Sequence, residues 1–236
     1  MEPIRVAAVV EVTEAEGPGA RFALWVQGCS LRCPGCCNPH MLAREGGREV
    51  PVPEILGALA RVRGRIEGLT LLGGEPFEQA GALARLARGA RAMGLSVATF
   101  TGYTLEELRA RADPGVAGLL DATDLLVDGR YDRSRPERER RWAGSANQRF
   151  HFLSGRYRPG VERAGGPLRT VEVRIGPDGR VFANGWPEMG GSALSSASPS
   201  SGSRPAAGST RSSSRGAPRG RAASPGPRSR RGRSSP

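Results

Sequence analysis

The 236-residue chain contains no lysine; all 35 of its basic side chains are arginine. Chemistry that needs an ε-amino nucleophile, such as Schiff-base formation, is therefore excluded. Cysteine is confined to one stretch, at Cys29, Cys33, Cys36 and Cys37, so no disulfide framework can tie distant segments together. No apolar run approaches the roughly 18 residues that cross a bilayer. The apolar start is interrupted by Glu11 and makes a poor signal peptide. The expected location is the cytoplasm, with no membrane partner. Acidic residues are missing altogether from 191 to 236, a stretch with nine arginines and fifteen serines. Of the net charge of +12, nine units belong there, which leaves +3 for residues 1–190.

That composition divides the chain. Residues 189–236 are Ser, Arg, Pro, Gly and Ala with Leu194 as the last large aliphatic side chain, too little apolar surface to offset the entropy of ordering. They are expected to form a disordered basic tail. With no aromatic residue among the arginines, only weak nucleic-acid binding through counterion release is expected of it. Residues 1–188 form the folded body.

Within the body, strands alternate with helices. Strands are expected at 4–12, 21–27, 69–72, 95–100 and 124–127. Helices are expected at 52–66 (Ile55, Leu56, Leu59, Val62 and Ile66 on one face), at 77–93, and from Leu105 towards Ala112 behind a Thr104–Glu107 capping box. A hairpin is expected around Gly176-Pro177-Asp178-Gly179, between strands at 170–175 and 180–182. Such alternation implies βαβ units on a mostly parallel sheet, with the active site at the C-terminal strand ends. The glycine-rich and polar motifs fall there.

The central motif is Gly28-Cys29-Ser30-Leu31-Arg32-Cys33-Pro34-Gly35-Cys36, a C-x3-C-x2-C spacing. Three neighbouring thiolates can wrap one face of a cubane iron–sulfur cluster and leave one iron open, whereas electron-carrier clusters use four cysteines. S-adenosylmethionine can fill that open place through its amino and carboxylate groups, and the protein then binds and aims the cofactor's chemistry. A structural zinc site would need a fourth ligand, and only His40 or Cys37 is nearby; no second C-x2-C pair exists. Adjacent thiolates strain to reach one cluster, so Cys37 is expected to fill a packing position, and His40 to be a loop residue.

These residues resemble the radical S-adenosylmethionine superfamily. The longer strings Glu16-Gly17-Pro18-Gly19-Ala20-Arg21, Gln27-Gly28-Cys29 and Cys36-Cys37-Asn38-Pro39 resemble its glycyl-radical-enzyme activases, above all those of anaerobic ribonucleotide reductase. Gly73-Gly74-Glu75-Pro76, Thr101-Gly102-Tyr103, the segment from Asp124 to Arg130 and Gly144-Ser145-Ala146-Asn147-Gln148-Arg149 match further segments of that group in order, from Val6 to Pro187. The resemblance implies an α/β fold, an incomplete (βα) barrel of the TIM type over residues 1–188. It implies a [4Fe-4S] cluster on Cys29, Cys33 and Cys36, which are thereby the catalytic and metal-binding residues. It implies S-adenosylmethionine contacts from Gly35, Cys37, Gly73, Gly74, Glu75, Pro76 and Thr101, with the GGEP acid on the methionine amino group, and makes Asp128 a candidate for lining the pocket near the substrate. The partners it implies are a glycyl-radical enzyme, with anaerobic ribonucleotide reductase first in view, and a flavodoxin- or ferredoxin-type reductant. The family often carries an aromatic residue or histidine after the third cysteine, where this chain has Cys37. With no further cysteine, a second cluster is excluded. Two other readings remain open from the sequence: a radical enzyme acting on a small molecule, such as the deazaguanine-forming synthases, and a non-catalytic iron–sulfur or zinc protein.

Overall fold

The computed structural model describes residues 2–166, 168–179 and 181–185. They fall within one compact unit. The boundary expected at 188/189, the basic tail after it and the last residues of the matched segments, Trp186-Pro187, lie outside the described residues.

Seven strands form one sheet in the order β3-β1-β2-β4-β5-β6-β7. The inner four, β2 (Arg21–Val26), β4 (Gly68–Gly73), β5 (Ser96–Phe100) and β6 (Leu125–Asp128), run parallel. β1 (Ile4–Thr13) and β3 (Arg48–Val50) extend one side antiparallel, and β7 (Arg149–Phe152) the other. The expected mixed α/β class and parallel centre are present. The sheet is open among the described residues: β3 and β7 stand at its two edges and no barrel closes.

Helices α1 (Val52–Val62), α2 (Ala80–Ala92), α3 (Leu105–Arg109) and α4 (Pro114–Ala122) share one core with one face of the sheet. Every residue of β2 is buried, as a strand covered on both faces requires. Phe22, Leu24 and Val26 point to the helices, while Ala23 and Trp25 pack with Val10 and Met41 on the other side. β1 changes face midway. Ile4 and Val6 face the helices, a register shift falls between Val6 and Ala8, and Val10 then faces away; one extra residue reverses the two-residue alternation.

The element boundaries differ from expectation in three places. α1 stops at Val62, where Arg63–Arg65 make a 3-10 turn into the extended Ile66. Pro76–Gln79 form a 3-10 turn before α2 starts at Ala80, because the Glu75 side chain caps Phe77 N. α3 ends at Arg109. Pro114 holds Asp113 extended and Asp113 caps α4, a helix the sequence pattern did not reveal. The hairpin of β8 (Val171–Ile175) and β9 (Val181–Gly185) is present as expected. Asn184 and Gly185 latch it to Glu16, and Phe182 meets Trp25 edge-on at 6.4 Å. Its other face leaves Val173, Ile175 and Val181 exposed.

Candidate functional site

Four adjacent parallel strands end side by side, and each delivers one motif: β2 the cysteine loop, β4 Gly73-Gly74-Glu75-Pro76, β5 Thr101-Gly102-Tyr103, and β6 Asp128. Segments separated by up to 100 positions in sequence thus meet at one edge, the usual location of an active site in such sheets.

The cysteine loop is fixed at both ends. Gly28 N donates to Met41 O at 2.9 Å and Cys29 N to Leu42 O at 3.1 Å. The Gln27 side chain donates to Ala43 O at 2.8 Å and to His40 O at 3.2 Å, so His40 serves through its backbone. All four cysteines are free. Cys29 is buried, Cys33 and Cys36 are half-buried, and Cys37 is exposed. Burial raises the Cys29 thiol above its ordinary range. The Cys37 thiol donates to Cys36, which brings Cys36 down to about 6 and raises Cys37. Cys36 is thereby favoured as a thiolate, while its neighbour keeps its proton. Gly35 takes φ +75, and a Cβ there would lie 3.1 Å from Arg133 Cδ.

The glycines of the next motif let two backbones touch. Glu75 N donates to Gly28 O at 2.8 Å, and Gly74 N to Val26 O at 2.8 Å. A Cβ on Gly74 would fall 2.2 Å from Gly28 O, and one on Gly73, where φ is +105, 2.7 Å from Trp25 Cα. These positions press the end of β4 against the start of the cysteine loop. Gly102 closes the other side, since a Cβ there would meet Leu31 Cδ1 at 2.5 Å.

Glu75 is 1% exposed. Its Oε1 accepts from Thr101 Oγ1 (2.8 Å) and Phe77 N (2.9 Å), and its Oε2 from Gly102 N (2.9 Å). A carboxylate offers about four acceptor positions, so one remains on Oε2. Every partner is neutral. Burial therefore dominates and pushes the carboxyl up to about 7. A cation placed at the remaining position would stabilise its ionised form. Pro76 is buried at the start of the turn that Glu75 caps.

Asp128 stands differently. It is fully buried, and its Oδ2 accepts from Leu105 N at 2.6 Å and from Arg149 Nη2 at 2.6 Å, while Oδ1 accepts from Arg149 Nε at 3.1 Å. His151 Nε2 lies 2.9 Å from Oδ2 without hydrogen-bond geometry. The carboxylate anchors the N-terminus of α3 and orients Arg149, which also reaches Glu106 and holds it down at about 2. Asn147 and Gln148 donate to Arg130 O and Gly129 O, so Asn147-Gln148-Arg149 fixes the entry to β7.

Two residues, Glu78 and Arg111, joined the site without a sequence signal. Glu78 Oε1 accepts from Ser30 N at 2.8 Å and from Ser30 Oγ at 2.5 Å, tying the cysteine loop to the turn after β4. Tyr103 lies beside them with Arg111 stacked 3.8 Å from its ring centroid. Conversely, Glu16 and Arg21 of the matched segment are engaged in structural contacts. Glu16 holds the hairpin. Arg21, fully buried at the start of β2, donates to Thr70, Ser96, Tyr157 and Leu69 O beneath three strands.

The donor set fits the groups expected of it. Three free thiols share one loop whose ends are pinned, and a cubane takes each thiolate at a separate iron. Among the described residues, no three His, Cys, Asp or Glu side chains converge as ligands of one ion. Beside the loop, a buried carboxylate with a spare acceptor position and no cationic partner fits an ammonium group.

Residues 15–151 match the family described as a 4Fe-4S single cluster domain. The anaerobic ribonucleoside-triphosphate reductase-activating protein of Vibrio cholerae is 34% identical over 142 residues, 57% of this chain and 89% of its own length. That of Escherichia coli K12 is 31% identical over 144 residues, 58% and 91%. That of enterobacteria phage T4 is 31% identical over 142 residues, 57% and 85%. Among solved structures, Escherichia coli QueE aligns with a TM-score of 0.33 and 19% identity over 44% of this chain and 53% of that one.

Proposed function

The chain belongs to the 4Fe-4S single cluster domain family, among the anaerobic ribonucleoside-triphosphate reductase-activating proteins, and from that premise we propose that it is an iron–sulfur activase that uses S-adenosylmethionine to install a glycyl radical on such a reductase. When bound, the cluster and S-adenosylmethionine supply the reductive cleavage that yields a 5′-deoxyadenosyl radical for hydrogen abstraction.

Cys29, Cys33 and Cys36 hold the cluster. The Cys37 thiol, hydrogen-bonded to Cys36, favours the thiolate needed for ligation. Gly73 and Gly74 bring the backbone against the cysteine loop without side chains in the way, and Gly35 turns the loop between its last two ligands. Glu75 receives the amino group of S-adenosylmethionine on Oε2, with Thr101, Gly102 N and Phe77 N holding the carboxylate in place, and Pro76 setting the turn. Asp128 lines the same end of the sheet as a positioning residue, through Arg149 and α3. The open sheet is read as the incomplete barrel of radical S-adenosylmethionine enzymes, its strand ends shielding the reacting atoms from water. A flavodoxin- or ferredoxin-type protein supplies the electron, and the location is the cytoplasm. No helix among the described residues is long and apolar enough to cross a membrane.

The observation that carries this reading is that one pinned loop carrying three free thiols and an uncompensated buried carboxylate lie at adjacent strand ends. The test is anaerobic reconstitution with iron and sulfide, reduction, and addition of S-adenosylmethionine and a purified anaerobic reductase. A glycyl-radical resonance on the reductase, with 5′-deoxyadenosine and methionine formed, supports the proposal. A cluster whose resonance ignores S-adenosylmethionine, or stoichiometric zinc in place of iron, overturns it.

A further inference from the structure

Glu75 is not the only acid beside the cysteine loop. Glu78 stands three residues further on, in the turn after β4. Its Oε1 gathers three donors: Ser30 N at 2.8 Å, Ser30 Oγ at 2.5 Å and the Tyr103 hydroxyl at 3.5 Å. Ser30 directly follows Cys29. Two covalent bonds separate Ser30 N from Cys29 Cα, so Glu78 Oε1 lies no more than about 6 Å from that Cα. All three donors are neutral groups, and among the described residues no arginine or histidine pairs with Glu78. Other acids at this end of the sheet are paired: Glu106 holds Arg149 and Glu107 holds Arg130. Arg111 is stacked on the Tyr103 ring, 3.8 Å from its centroid, and does not reach the carboxylate.

We propose that Glu78 is a positioning residue for the cluster: it holds Ser30, and with it the Cys29 ligand, while its unpaired charge keeps the cluster's reduction potential low. The inference rests on the reading of Cys29, Cys33 and Cys36 as cluster ligands. A fixed negative charge opposes the arrival of an electron nearby, and the charge around an iron–sulfur centre is one of the determinants of its potential. Glu75 cannot serve in this way once S-adenosylmethionine is bound, because the ammonium group of the cofactor compensates it. Glu78, with neutral partners only, keeps its effect in the loaded protein. Its donors fix the carboxylate against the loop without cancelling its charge, as an arginine would. A lower potential makes the reduced centre a stronger donor to the sulfonium. The electron comes from the flavodoxin- or ferredoxin-type reductant, and no bond to Glu78 forms or breaks.

The test is a potentiometric titration of the anaerobically reconstituted full chain with dithionite, read by the electron paramagnetic resonance of the reduced cluster, with iron content measured in parallel. Glu78→Gln keeps an acceptor oxygen for Ser30 and removes the charge. Glu11→Gln removes a charge from an exposed position on β1, beside the start of β2, and serves as the control. The proposal expects native iron content in both variants. In Glu78→Gln alone it expects a midpoint raised so that the cluster is about tenfold easier to reduce, about 59 mV for one electron. An unchanged midpoint in Glu78→Gln, or an equal rise in Glu11→Gln, overturns it. Loss of iron from Glu78→Gln also overturns it, because the residue would then be a structural tie whose charge is not used. A native chain that takes up no iron overturns the cluster assignment, and this inference with it.

Discussion

Two buried carboxylates stand at the same edge of the sheet, two strands apart, and the protein treats them in opposite ways. Asp128 is closed: an arginine grips both of its oxygens and a helix N-terminus rests on it. Glu75 is open: three neutral donors hold it, no cation compensates it, and its carboxyl is pushed up to about 7. Burying an ionisable group without a counter-charge is costly, so a fold that satisfies one acid completely and leaves the next incomplete has reserved the second for a ligand. The difference separates an acid that builds the site from an acid that works in it.

The largest effect expected lies beside Glu75. Replacing Cys29, Cys33 or Cys36 with alanine removes a cluster ligand and abolishes iron retention and glycyl-radical formation, whereas Cys37→Ala keeps the iron; metal analysis after anaerobic reconstitution distinguishes them. The next effect breaks the closed carboxylate. Asp128→Ala removes the anchor of α3 and the partner of Arg149, and is expected to cost about 4 kcal/mol in urea unfolding. A loss below about 1 kcal/mol would place Asp128 with the exposed ion pairs and end the comparison.

The open carboxylate gives a pH signature. The folded-state value of Glu75 is raised from 4.5 to about 7, so between those limits the folded state binds more protons than the unfolded one. Its contribution to stability is complete below pH 4.5 and is lost as pH rises through 7, on the order of 3 kcal/mol. Glu16 shifts in the same direction, so the measurement is the difference between the native chain and Glu75→Gln, in which this slope disappears. The lowered acids, Glu106 among them, titrate below this window. The smallest effect is reserved for the outer arm of the closed pair. Glu106→Ala leaves Arg149 on Asp128, and the unfolding midpoint is expected to stay in place.

Much of this site could be read in the chain. The cysteine spacing, the two glycines before Glu75 and the strand–helix alternation are local patterns, and each lies where the parallel strands end. The Thr104–Glu107 capping box formed as expected, with Thr104 Oγ1 accepting from Glu107 N and Glu107 from Thr104 N. What escaped was set by long-range contact. β3 is three residues and β7 four, too short for a two-residue alternation to stand out. α4 lay hidden behind Asp113-Pro114, which reads as a turn until the aspartate is seen capping a new helix. The Ser30–Glu78 tie spans 48 positions, and nothing in either residue's neighbourhood announces the other. Arg21 belongs to a segment that resembles the activases and ends beneath the sheet, where a charge without a carboxylate partner binds strands together. The closed and open states of Asp128 and Glu75 were likewise invisible, because they depend on whether an arginine 21 positions away turns inward.

The most direct test compares S-adenosylmethionine affinity in the reconstituted native chain and in Glu75→Gln, which keeps the shape of the side chain and one acceptor oxygen for Thr101 and Phe77 N but cannot ionise. The account predicts an intact cluster, with S-adenosylmethionine bound at least about tenfold more weakly. Unchanged affinity in a variant with a full cluster would contradict it, because the buried carboxylate would then hold no part of the cofactor.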